Sequence, residues 1–464
     1  MEPLSLSEIA LATRGTLHGQ PRLRCQRVTT DSRDVRAGDL FVCLTGPRFD
    51  GHDFAAGAVD AGATAVLGSR LLPAEVVRGG AQVVVADTLA ALGALGRHVR
   101  ERETAGRRPL VIGITGTNGK TTTKDLAAAA LGTSWPVVSS RRSFNNDIGV
   151  PLTLLDIGAG TRAAVVEMGT NAPGEIAALA ALARPDVGVI TNIGPGHLAG
   201  LRSVDGVRAE KGALLEGLTG RKVSVLNRDD PSFAALAARA PGPVVSFGLS
   251  PEADVRATDV RCDGQGTRFT VGGQRPVALQ LLGRHAVLNA LAAIAIACVA
   301  GVDLDAAVTA LAAVPSPPGR LQVRRVRGLL LIDDTYNANP GSFAAAVATL
   351  ADLRLAGRLV IVAGDMLELG DASAALHRAA GERLAALAPA LVVTVGEQGP
   401  ELLAGARAAG LPESATLACR GTEQASAQLG ALLRDGDTVL LKGSRGIHLD
   451  SVVAELARPQ ASVA

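Results

Sequence analysis

The feature that most constrains the fold is an apolar run leading through a glycine-rich loop into a helix-forming segment. Val111 to Thr115 has the composition of a buried strand, and Gly116-Thr117-Asn118-Gly119-Lys120-Thr121-Thr122-Thr123 follows directly. In such an arrangement the backbone N–H groups of the loop and of the helix N-terminus can point at phosphate oxygens. The segment therefore predicts a nucleotide-binding site within an α/β fold.

This loop departs from the general phosphate-loop pattern GxxxxGK[ST], because its first glycine position holds Ile114. The segment is a shorter GxxGKT variant. We expect Lys120 to neutralise the β- and γ-phosphates and the hydroxyl of Thr121 or Thr122 to reach a Mg²⁺ ion. A chance Gly-Lys-Thr turn is the structural alternative, and the flanking strand and helix argue against it.

At 464 residues the chain is too long for one ordinary core, and its 47% of apolar residues can fill several. The sequence divides into blocks 1–107, 108–314 and 315–464. β-Branched runs alternate with Ala/Leu-rich stretches in the second and third blocks, which predicts parallel sheets covered by helices on both faces. A last helix of the second block is expected over 285–300, before the Pro-rich segment 314–319. The charged stretch 97–108 is expected to be a solvated helix end and linker.

Charge and cysteine content exclude several classes of protein. The 46 Lys and Arg residues nearly balance the 44 Asp and Glu residues, which does not favour a nucleic-acid partner. Five scattered cysteines without a CxxC pair fit neither a disulfide framework nor a structural zinc site. No signal-peptide pattern or apolar run of membrane-spanning length is evident. We expect a cytoplasmic protein without membrane insertion.

Two polar residues at predicted strand ends are candidate metal ligands. Glu167 ends the run from Ala163, and His197 lies in a Gly-rich loop after another apolar run. The carboxyl ends of parallel strands border the ligand crevice of an α/β sheet. A helix cap or surface carboxylate is the alternative for Glu167, and an ordinary loop histidine is the alternative for His197. Mg²⁺ prefers oxygen ligands, so a histidine ligand would be unusual.

Several motifs together resemble the Mur ligases, the ATP-dependent amino-acid ligases of peptidoglycan synthesis. In the second block they are GTNGKTTT at 116–123, SFNNDIGVP at 143–151, EMG at 167–169, TNIGPGHL at 191–198 and AEKG at 209–212. In the first and third blocks they are TDSR at 30–33, GPRFDGH at 46–52, DDTYNANP at 333–340, GDMLELG at 364–370 and KGSR at 442–445. The resemblance spans essentially the whole chain.

This resemblance implies three α/β domains: a small N-terminal UDP-sugar-binding domain, a central ATP-binding domain with a parallel sheet, and a Rossmann-like C-terminal domain. It implies addition of D-alanyl-D-alanine to UDP-N-acetylmuramoyl-tripeptide through an acyl phosphate. The implied cofactors are ATP and Mg²⁺. The implied partners are these small substrates alone, and we expect the enzyme to be a monomer.

The resemblance also implies roles for individual residues. Catalysis is assigned to Lys120, His197 and Lys211. Nucleotide binding is assigned to Gly116, Thr117, Asn118, Gly119, Lys120, Thr121, Thr122, Asn289, Arg320 and Asp334. Substrate binding is assigned to Ser32, Arg33, Arg48, Phe49, Asn145, Asn146, Asn337 and Asn339. Metal binding is assigned to Thr121, Glu167, His197 and, if it carries a carbamate, Lys211.

Some of these residues have alternative interpretations. The asparagines could be turn residues, and Lys211 could be an ordinary lysine paired with a phosphate or carboxylate. Lys442 could reach substrate or could be a solvated loop lysine. The rival functions are the ligase that adds the third amino acid, folylpolyglutamate synthetase, a P-loop NTPase switch or motor, and an inactive nucleotide-binding module.

Overall fold

The protein was analysed as a computed structural model, which describes residues 1–78, 80–102, 108–353, 355 and 357–458. The N-terminal domain contains a five-stranded sheet of order β2-β7-β6-β5-β4, which is parallel except for β2, and a separate antiparallel pair formed by β1 and β3. Its elements are β1 (Leu4–Ser5), α1 (Leu6–Thr13), β2 (Thr16–His18), β3 (Arg24–Cys25), β4 (Arg27–Thr29), β5 (Asp39–Val42), α2 (Ala55–Asp60), β6 (Ala65–Gly68), α3 (Ala74–Val77), β7 (Ala81–Val84) and α4 (Thr88–Glu101).

The central domain is organised around a sheet of order β16-β15-β14-β13-β12-β11-β8-β10-β9. Strands β8 to β14 pair in parallel, and β14, β15 and β16 pair antiparallel. Its elements are β8 (Leu110–Thr115), α5 (Lys120–Gly132), β9 (Val137–Ser139), α6 (Gly149–Leu155), β10 (Ala163–Glu167), α7 (Glu175–Ala183), β11 (Val187–Ile190), α8 (Leu198–Leu201), α9 (Val204–Glu216), β12 (Val223–Asn227), α10 (Phe233–Ala237), β13 (Val244–Gly248), β14 (Val255–Asp263), β15 (Gly266–Val271), β16 (Arg275–Leu279), α11 (Arg284–Ala300) and α12 (Leu304–Leu311).

The C-terminal domain has a six-stranded sheet of order β17-β18-β22-β19-β20-β21, in which only β17 is antiparallel to its neighbour. Its elements are β17 (Gln322–Val326), β18 (Leu329–Asp334), α13 (Pro340–Asp352), β19 (Leu359–Gly364), α14 (Ser373–Ala385), β20 (Leu391–Val395), α15 (Gly399–Ala408), β21 (Thr416–Cys419), α16 (Thr422–Leu432), β22 (Thr438–Lys442) and α17 (Leu449–Ala457).

The predicted α/β class with parallel sheets is confirmed, although two details of the central domain differ from expectation. Helix α11 is not the last one, because α12 follows it and packs against α5 and β16. The sheet also continues into the antiparallel strands β15 and β16, whose alternating burial marks one solvent-facing side. The domain boundaries stay a prediction, and the boundary between 107 and 108 borders residues 103–107, which lie outside the described residues.

The N-terminal and central domains share one apolar core. Helix α4 packs between α1 on one side and α6 and α7 on the other. Its buried residues Leu92, Leu95 and Val99 belong to the same apolar cluster as Val150 and Leu154 of α6. The first domain is therefore anchored to the second by continuous side-chain packing.

The expectation that residues 97–108 are solvated is wrong for Arg100. This side chain is buried and its Nη2 lies 2.8 Å from an Asp186 carboxylate oxygen. The guanidinium also donates to the carbonyl oxygens of Ala183, Pro109 and Arg184. The apolar face of α4 turns this arginine toward the central domain, where its charge and hydrogen bonds are satisfied.

Candidate active site

A cavity of about 560 Å³ lies between the carboxyl ends of the central strands and the C-terminal domain. It brings together most of the residues that the sequence analysis assigned to nucleotide, metal and substrate. Those that line it are Thr117, Asn118, Gly119, Lys120, Thr121, Thr122, Asn145, Glu167, His197, Asn289, Arg320, Asp334, Asn337 and Asn339.

The glycine-rich loop connects β8 to α5, and both of its glycines are required by close contacts. Gly116 has φ +151°, and a Cβ atom there would collide with the Thr191 hydroxyl. Gly119 has φ +83° and faces the Asn289 side chain in the same way. Asn289 on α11 also accepts a hydrogen bond from the Thr123 hydroxyl at 3.3 Å. The loop thus lies tightly between β11 and α11.

Two residues at the end of β11 hold the loop in place. The Asn118 backbone N–H donates to Asn192 Oδ1 at 3.0 Å, and Asn192 Nδ2 donates to the Asn118 carbonyl oxygen at 2.9 Å. The Thr191 hydroxyl donates to that same carbonyl at 2.5 Å. Thr191 and Asn192 were part of a recognised motif without an assigned role. Their position at the carboxyl end of a buried strand beside β8 was the available signal.

Lys120 begins α5 and folds back over the loop. Its Nζ donates to the carbonyl oxygens of Gly116 at 2.8 Å and Thr117 at 3.4 Å. Burial lowers the pKa of Lys120, the Glu167 carboxylate opposes that change, and the Arg320 charge adds to it. The ammonium group is therefore held where an anion such as phosphate would supply the countercharge.

Glu167 ends β10 and is only 1% exposed. Its Oε1 accepts a hydrogen bond from Asn145 Nδ2 at 2.8 Å, whereas the buried Oε2 has no hydrogen-bond partner in the described part of the chain. A buried carboxylate oxygen without a partner is costly and calls for an explanation such as a bound ion. Glu167 therefore fits a Mg²⁺ ligand.

Lys211 on α9 is fully buried, and its Nζ has no hydrogen-bond partner among the described residues. Burial, with the Lys120 charge adding to it, holds the pKa of Lys211 well below its ordinary value. The neighbouring Glu210 offers it no hydrogen bond and instead accepts from the backbone N–H groups of Gly174 and Ile176 at the start of α7. Lys211 is therefore not an ordinary lysine in a carboxylate pair.

His197 precedes α8, and its Nδ1 lies 2.6 Å from Glu368 Oε2 of the C-terminal domain. Burial lowers the pKa of His197, and the charge of Lys120 acts in the same direction, whereas Glu368 raises it. Within the described residues, no group of three or more His, Cys, Asp or Glu side chains forms a metal cage. A metal ion here would have to take other ligands as well, such as the Thr121 hydroxyl and ATP oxygens.

The C-terminal domain contributes a charged group of its own. Lys442 is buried, and its Nζ lies 2.6 Å from Asp334 Oδ2 and 3.2 Å from the Asn337 carbonyl oxygen. Burial raises the pKa of Asp334, although the charges of Lys442 and Arg320 oppose that change. Lys442 is thus neither a solvated loop lysine nor free to reach a ligand without leaving this ion pair.

Arg320 joins the two domains. Its Nη2 donates to the Thr121 hydroxyl at 3.1 Å, and its guanidinium lies over the Tyr336 ring at 4.3 Å from the centroid. The Tyr336 hydroxyl donates to Ser143 Oγ at 2.6 Å, and Ser143 Oγ is 3.4 Å from the Thr121 hydroxyl. The side chains of Arg320, Tyr336, Ser143 and Thr121 thus form a closed cycle of contacts beside the phosphate loop.

Comparison with known proteins agrees with this arrangement. The sequence matches the Mur ligase family catalytic domain over residues 24–101, the Mur ligase middle domain over 114–297, and the Mur ligase glutamate ligase domain over 319–445. It is 36% identical to the UDP-N-acetylmuramoyl-tripeptide–D-alanyl-D-alanine ligase of Escherichia coli K12, covering 98% of this chain and 99% of that protein. The chain belongs to the Mur ligase family.

Two solved structures resemble this Mur ligase over nearly its whole length. MurF from Acinetobacter baumannii superposes with a TM-score of 0.89 at 34% identity, covering 98% of this chain and 99% of that one. The MurF ligase from Thermotoga maritima in complex with ADP has a TM-score of 0.79 at 29% identity, covering 93% and 97%. The three-domain α/β fold expected from the sequence is thereby confirmed.

The asparagines predicted to bind substrate occupy different environments in this Mur ligase. Asn339 exchanges side-chain hydrogen bonds with Asn118 of the phosphate loop, at 2.8 and 3.3 Å. Asn145 and Asn337 also line the cavity. Asn146 is exposed instead, and its Oδ1 accepts from the backbone N–H groups at positions 148 and 149, which begin α6. That geometry is the local turn role considered as an alternative.

The four residues predicted to bind substrate in the N-terminal domain lie apart from the cavity lining. Arg33 is exposed and forms a bidentate pair with Asp31. Arg48 and Phe49 are also exposed, and Ser32 is half-buried. Their assignment to the UDP-sugar stays a prediction. In the described residues of this Mur ligase, no helix is both long and apolar enough to cross a lipid bilayer.

Proposed function

We propose that this Mur ligase uses ATP to join D-alanyl-D-alanine to UDP-N-acetylmuramoyl-tripeptide. One observation supports this most directly: the phosphate loop, a buried carboxylate oxygen without a partner, and polar groups of the C-terminal domain all line one cavity. A switch or motor NTPase would not need this C-terminal half of the site. The name of the Escherichia coli relative and its near-complete alignment support the same substrates.

In the proposed reaction, the tripeptide carboxylate attacks the γ-phosphorus of ATP, which forms an acyl phosphate and releases ADP. The amine of the dipeptide then attacks the acyl carbon, loses a proton, and phosphate leaves as the amide bond forms. Lys120 and Arg320 stabilise the charge on the phosphate oxygens and align them. The chain's Asn339–Asn118 and Arg320–Thr121 contacts keep the C-terminal domain over the loop, where it limits hydrolysis by water.

Mg²⁺ fits this site because Glu167 Oε2 is buried and has no hydrogen-bond partner in the part of the chain that the structure describes. We assign Glu167, Thr121 and His197 as the residues that would hold it. When bound, the ion would neutralise charge on the nucleotide phosphates.

We also propose that Lys211 carries a carbamate. Its Nζ is buried and has no hydrogen-bond partner among the described residues, and its lowered pKa favours the neutral amine. The amine would add to CO₂ with loss of one proton, giving an N-carboxylate whose oxygen could assist metal binding. Enrichment with ¹³C-bicarbonate should give a carbamate ¹³C resonance that Lys211→Ala lacks, and its absence from the native protein would remove this part of the proposal.

The decisive test measures phosphate release from ATP with the UDP-linked tripeptide and the dipeptide, together and singly. We expect turnover to require both, with the UDP-pentapeptide as the product in mass spectra. Robust turnover that ignores the dipeptide would refute the ligase assignment.

Lys120→Ala should abolish this turnover and leave the circular dichroism spectrum unchanged, because the hydrogen bonds of its side chain to described residues go to loop carbonyls and not to a helix or strand core. Loss of helical signal would mean that Lys120 has a structural role instead.

We also propose that the protein is a cytoplasmic monomer. The mass measured by light scattering during size-exclusion chromatography tests the oligomeric state.

A further inference from the structure

The contact between His197 and Glu368 joins the loop after β11 in the central domain to the loop after β19 in the C-terminal domain. Besides the 2.6 Å side-chain contact between Nδ1 and Oε2, the Ala199 backbone N–H donates to the Glu368 carbonyl oxygen at 3.0 Å. Glu368 therefore holds the His197 segment at two points. The histidine ring itself lines the cavity that contains the phosphate loop.

Both residues have backbone conformations that are uncommon for residues other than glycine. The φ angle is +54° at His197 and +64° at Glu368. Such left-handed conformations cost about 1–3 kcal/mol each and persist where surrounding contacts enforce them. Here the two strained residues face each other across the domain boundary, which suggests that their contact has a function beyond packing.

We propose that Glu368 is a positioning residue for His197: its carboxylate accepts a hydrogen bond from Nδ1–H, so that Nε2 keeps its lone pair within the cavity. This inference rests on the proposed ligase function. A carboxylate bound to one ring nitrogen of histidine fixes the tautomer and leaves the other nitrogen as an acceptor or ligand. Because Glu368 belongs to the C-terminal domain, the tautomer is selected only while the two domains are docked.

The contribution of this pair to stability is expected to be small. Glu368 is more than half exposed, and solvent screening limits such ion pairs to about 0–1 kcal/mol. Its consequence is instead the orientation of a ring that shares the cavity with Lys120 and Glu167. The proposal therefore predicts a change in site chemistry without a matching change in global stability.

The test compares Glu368→Ala, Glu368→Gln and a matched control, Glu401→Ala. Glu401 forms an ion pair of the same 2.6 Å length with Arg378 within the C-terminal domain, and neither residue is part of the cavity lining. Ring ¹⁵N shifts are recorded on ¹⁵N-histidine-labelled full-length protein with ADP and without added metal. The chain has seven histidines, and His197→Gln assigns the relevant resonance.

Domain docking is monitored separately through Tyr336, the only tyrosine in the chain. Its hydroxyl bonds to Ser143 across the same boundary, so fluorotyrosine gives one ¹⁹F signal that reports docking. This second probe separates a role in ring orientation from a role in holding the domains together.

In the native protein we expect an acceptor-type Nε2 and a protonated Nδ1. Glu368→Ala should shift both resonances toward a mixture of tautomers, with the ¹⁹F signal unchanged. It should also raise the Mg²⁺ concentration for half-maximal turnover about tenfold or more. Glu368→Gln, whose amide oxygen still accepts a hydrogen bond from Nδ1–H, should restore most of both properties, and Glu401→Ala should match the native protein.

Unchanged His197 resonances in Glu368→Ala would overturn the proposal. A change in the ¹⁹F signal showing that undocking of the domains accounts for the whole loss of Mg²⁺ response would also overturn it. These outcomes are distinct from failure of the ligase function itself. In that case the native protein would lack dipeptide-dependent turnover whatever residue occupied position 368.

Discussion

The two boundaries of the central domain differ in what holds them together. Toward the N-terminal domain, apolar side chains of α4 and α6 form one cluster, and the buried Arg100–Asp186 pair closes it. Toward the C-terminal domain the contacts are largely side-chain hydrogen bonds, among them Arg320–Thr121, Asn339–Asn118 and Tyr336–Ser143, although Leu282 is buried in the C-terminal core.

This difference indicates which domain can move during the reaction. Separating the first boundary would expose a shared apolar core, which is costly because hydrophobic burial dominates folding. Separating the second mainly exchanges protein hydrogen bonds for bonds to water, at about 0.5–1.5 kcal/mol each. We therefore expect the N-terminal and central domains to act as one unit while the C-terminal domain opens and closes over the cavity.

The largest expected effect is at the apolar boundary. Arg100→Ala should lower the free energy of unfolding by about 3–5 kcal/mol, because it leaves the largely buried Asp186 without its cation and three carbonyl oxygens without their donor. Urea unfolding followed by circular dichroism measures this. Arg97→Ala on the same helix removes only an exposed pair with Glu101 and should cost less than about 1 kcal/mol. Equal urea midpoints for the two variants would contradict the predicted difference between the buried and the exposed ion pair.

Arg100 also shows where reasoning from sequence reaches its limit. A run of charges predicts a solvated segment, but the partner of this arginine lies 86 residues further along the chain, and only the packed fold turns it inward. The phosphate loop could be predicted because its glycines, lysine and flanking strand are contiguous. Glu167 could be predicted as a strand-end carboxylate, whereas its unpaired Oε2 appears only in three dimensions.

The same distinction applies to the C-terminal half of the site. Lys442 was recognised in a motif, but its pairing with Asp334 depends on the parallel register of β18 and β22. Glu368 carried no signal beyond its motif, because its partner His197 belongs to another domain. Asn146 shows the reverse case, since its local turn geometry was open to prediction, whereas the substrate role that the family resemblance implies stays a prediction.

At the polar boundary, Arg320→Lys should reduce kcat/KM about 10–100-fold, equivalent to about 1.4–2.7 kcal/mol, with little change in unfolding. Lysine keeps the charge but loses the stacking on Tyr336 and the fixed geometry toward Thr121. Steady-state kinetics with all three substrates measures this. Arg324→Lys on the exposed face of β17 is the matched control, and an equal loss there would exclude a specific role for Arg320.

Acid should weaken the polar boundary through His285, which lies on α11 and lines the cavity together with residues of the C-terminal domain. Burial, together with the charges of Lys442 and Arg320, lowers the pKa of His285 from 6.5 to about 4 in the docked structure. Docking that requires the neutral ring is therefore fully favoured above pH 6.5 and is lost progressively as the pH falls toward 4. For a half-buried ring we expect about 1–2 kcal/mol in total.

The ¹⁹F signal of fluorotyrosine at position 336, recorded against pH, reports this loss of docking. His285→Asn should flatten the change between pH 6.5 and 4. A variant that titrates like the native protein would show that a group other than His285 is responsible. Asp334 is not that group, because its raised pKa favours docking as the pH falls.

The smallest expected effect concerns a single hydroxyl. Tyr336→Phe removes the bond to Ser143 but leaves the ring beneath Arg320, so docking should weaken by about 1 kcal/mol. Ser143→Ala removes the same bond from the central domain, and the double variant should cost no more than either one alone if the two groups act only on each other. Relaxation-dispersion NMR on labelled methyl groups of the C-terminal domain measures the open population. If the effects of the two substitutions on docking simply add, Ser143 acts mainly through Thr121. Its hydroxyl would then support the phosphate loop rather than the contact between the domains.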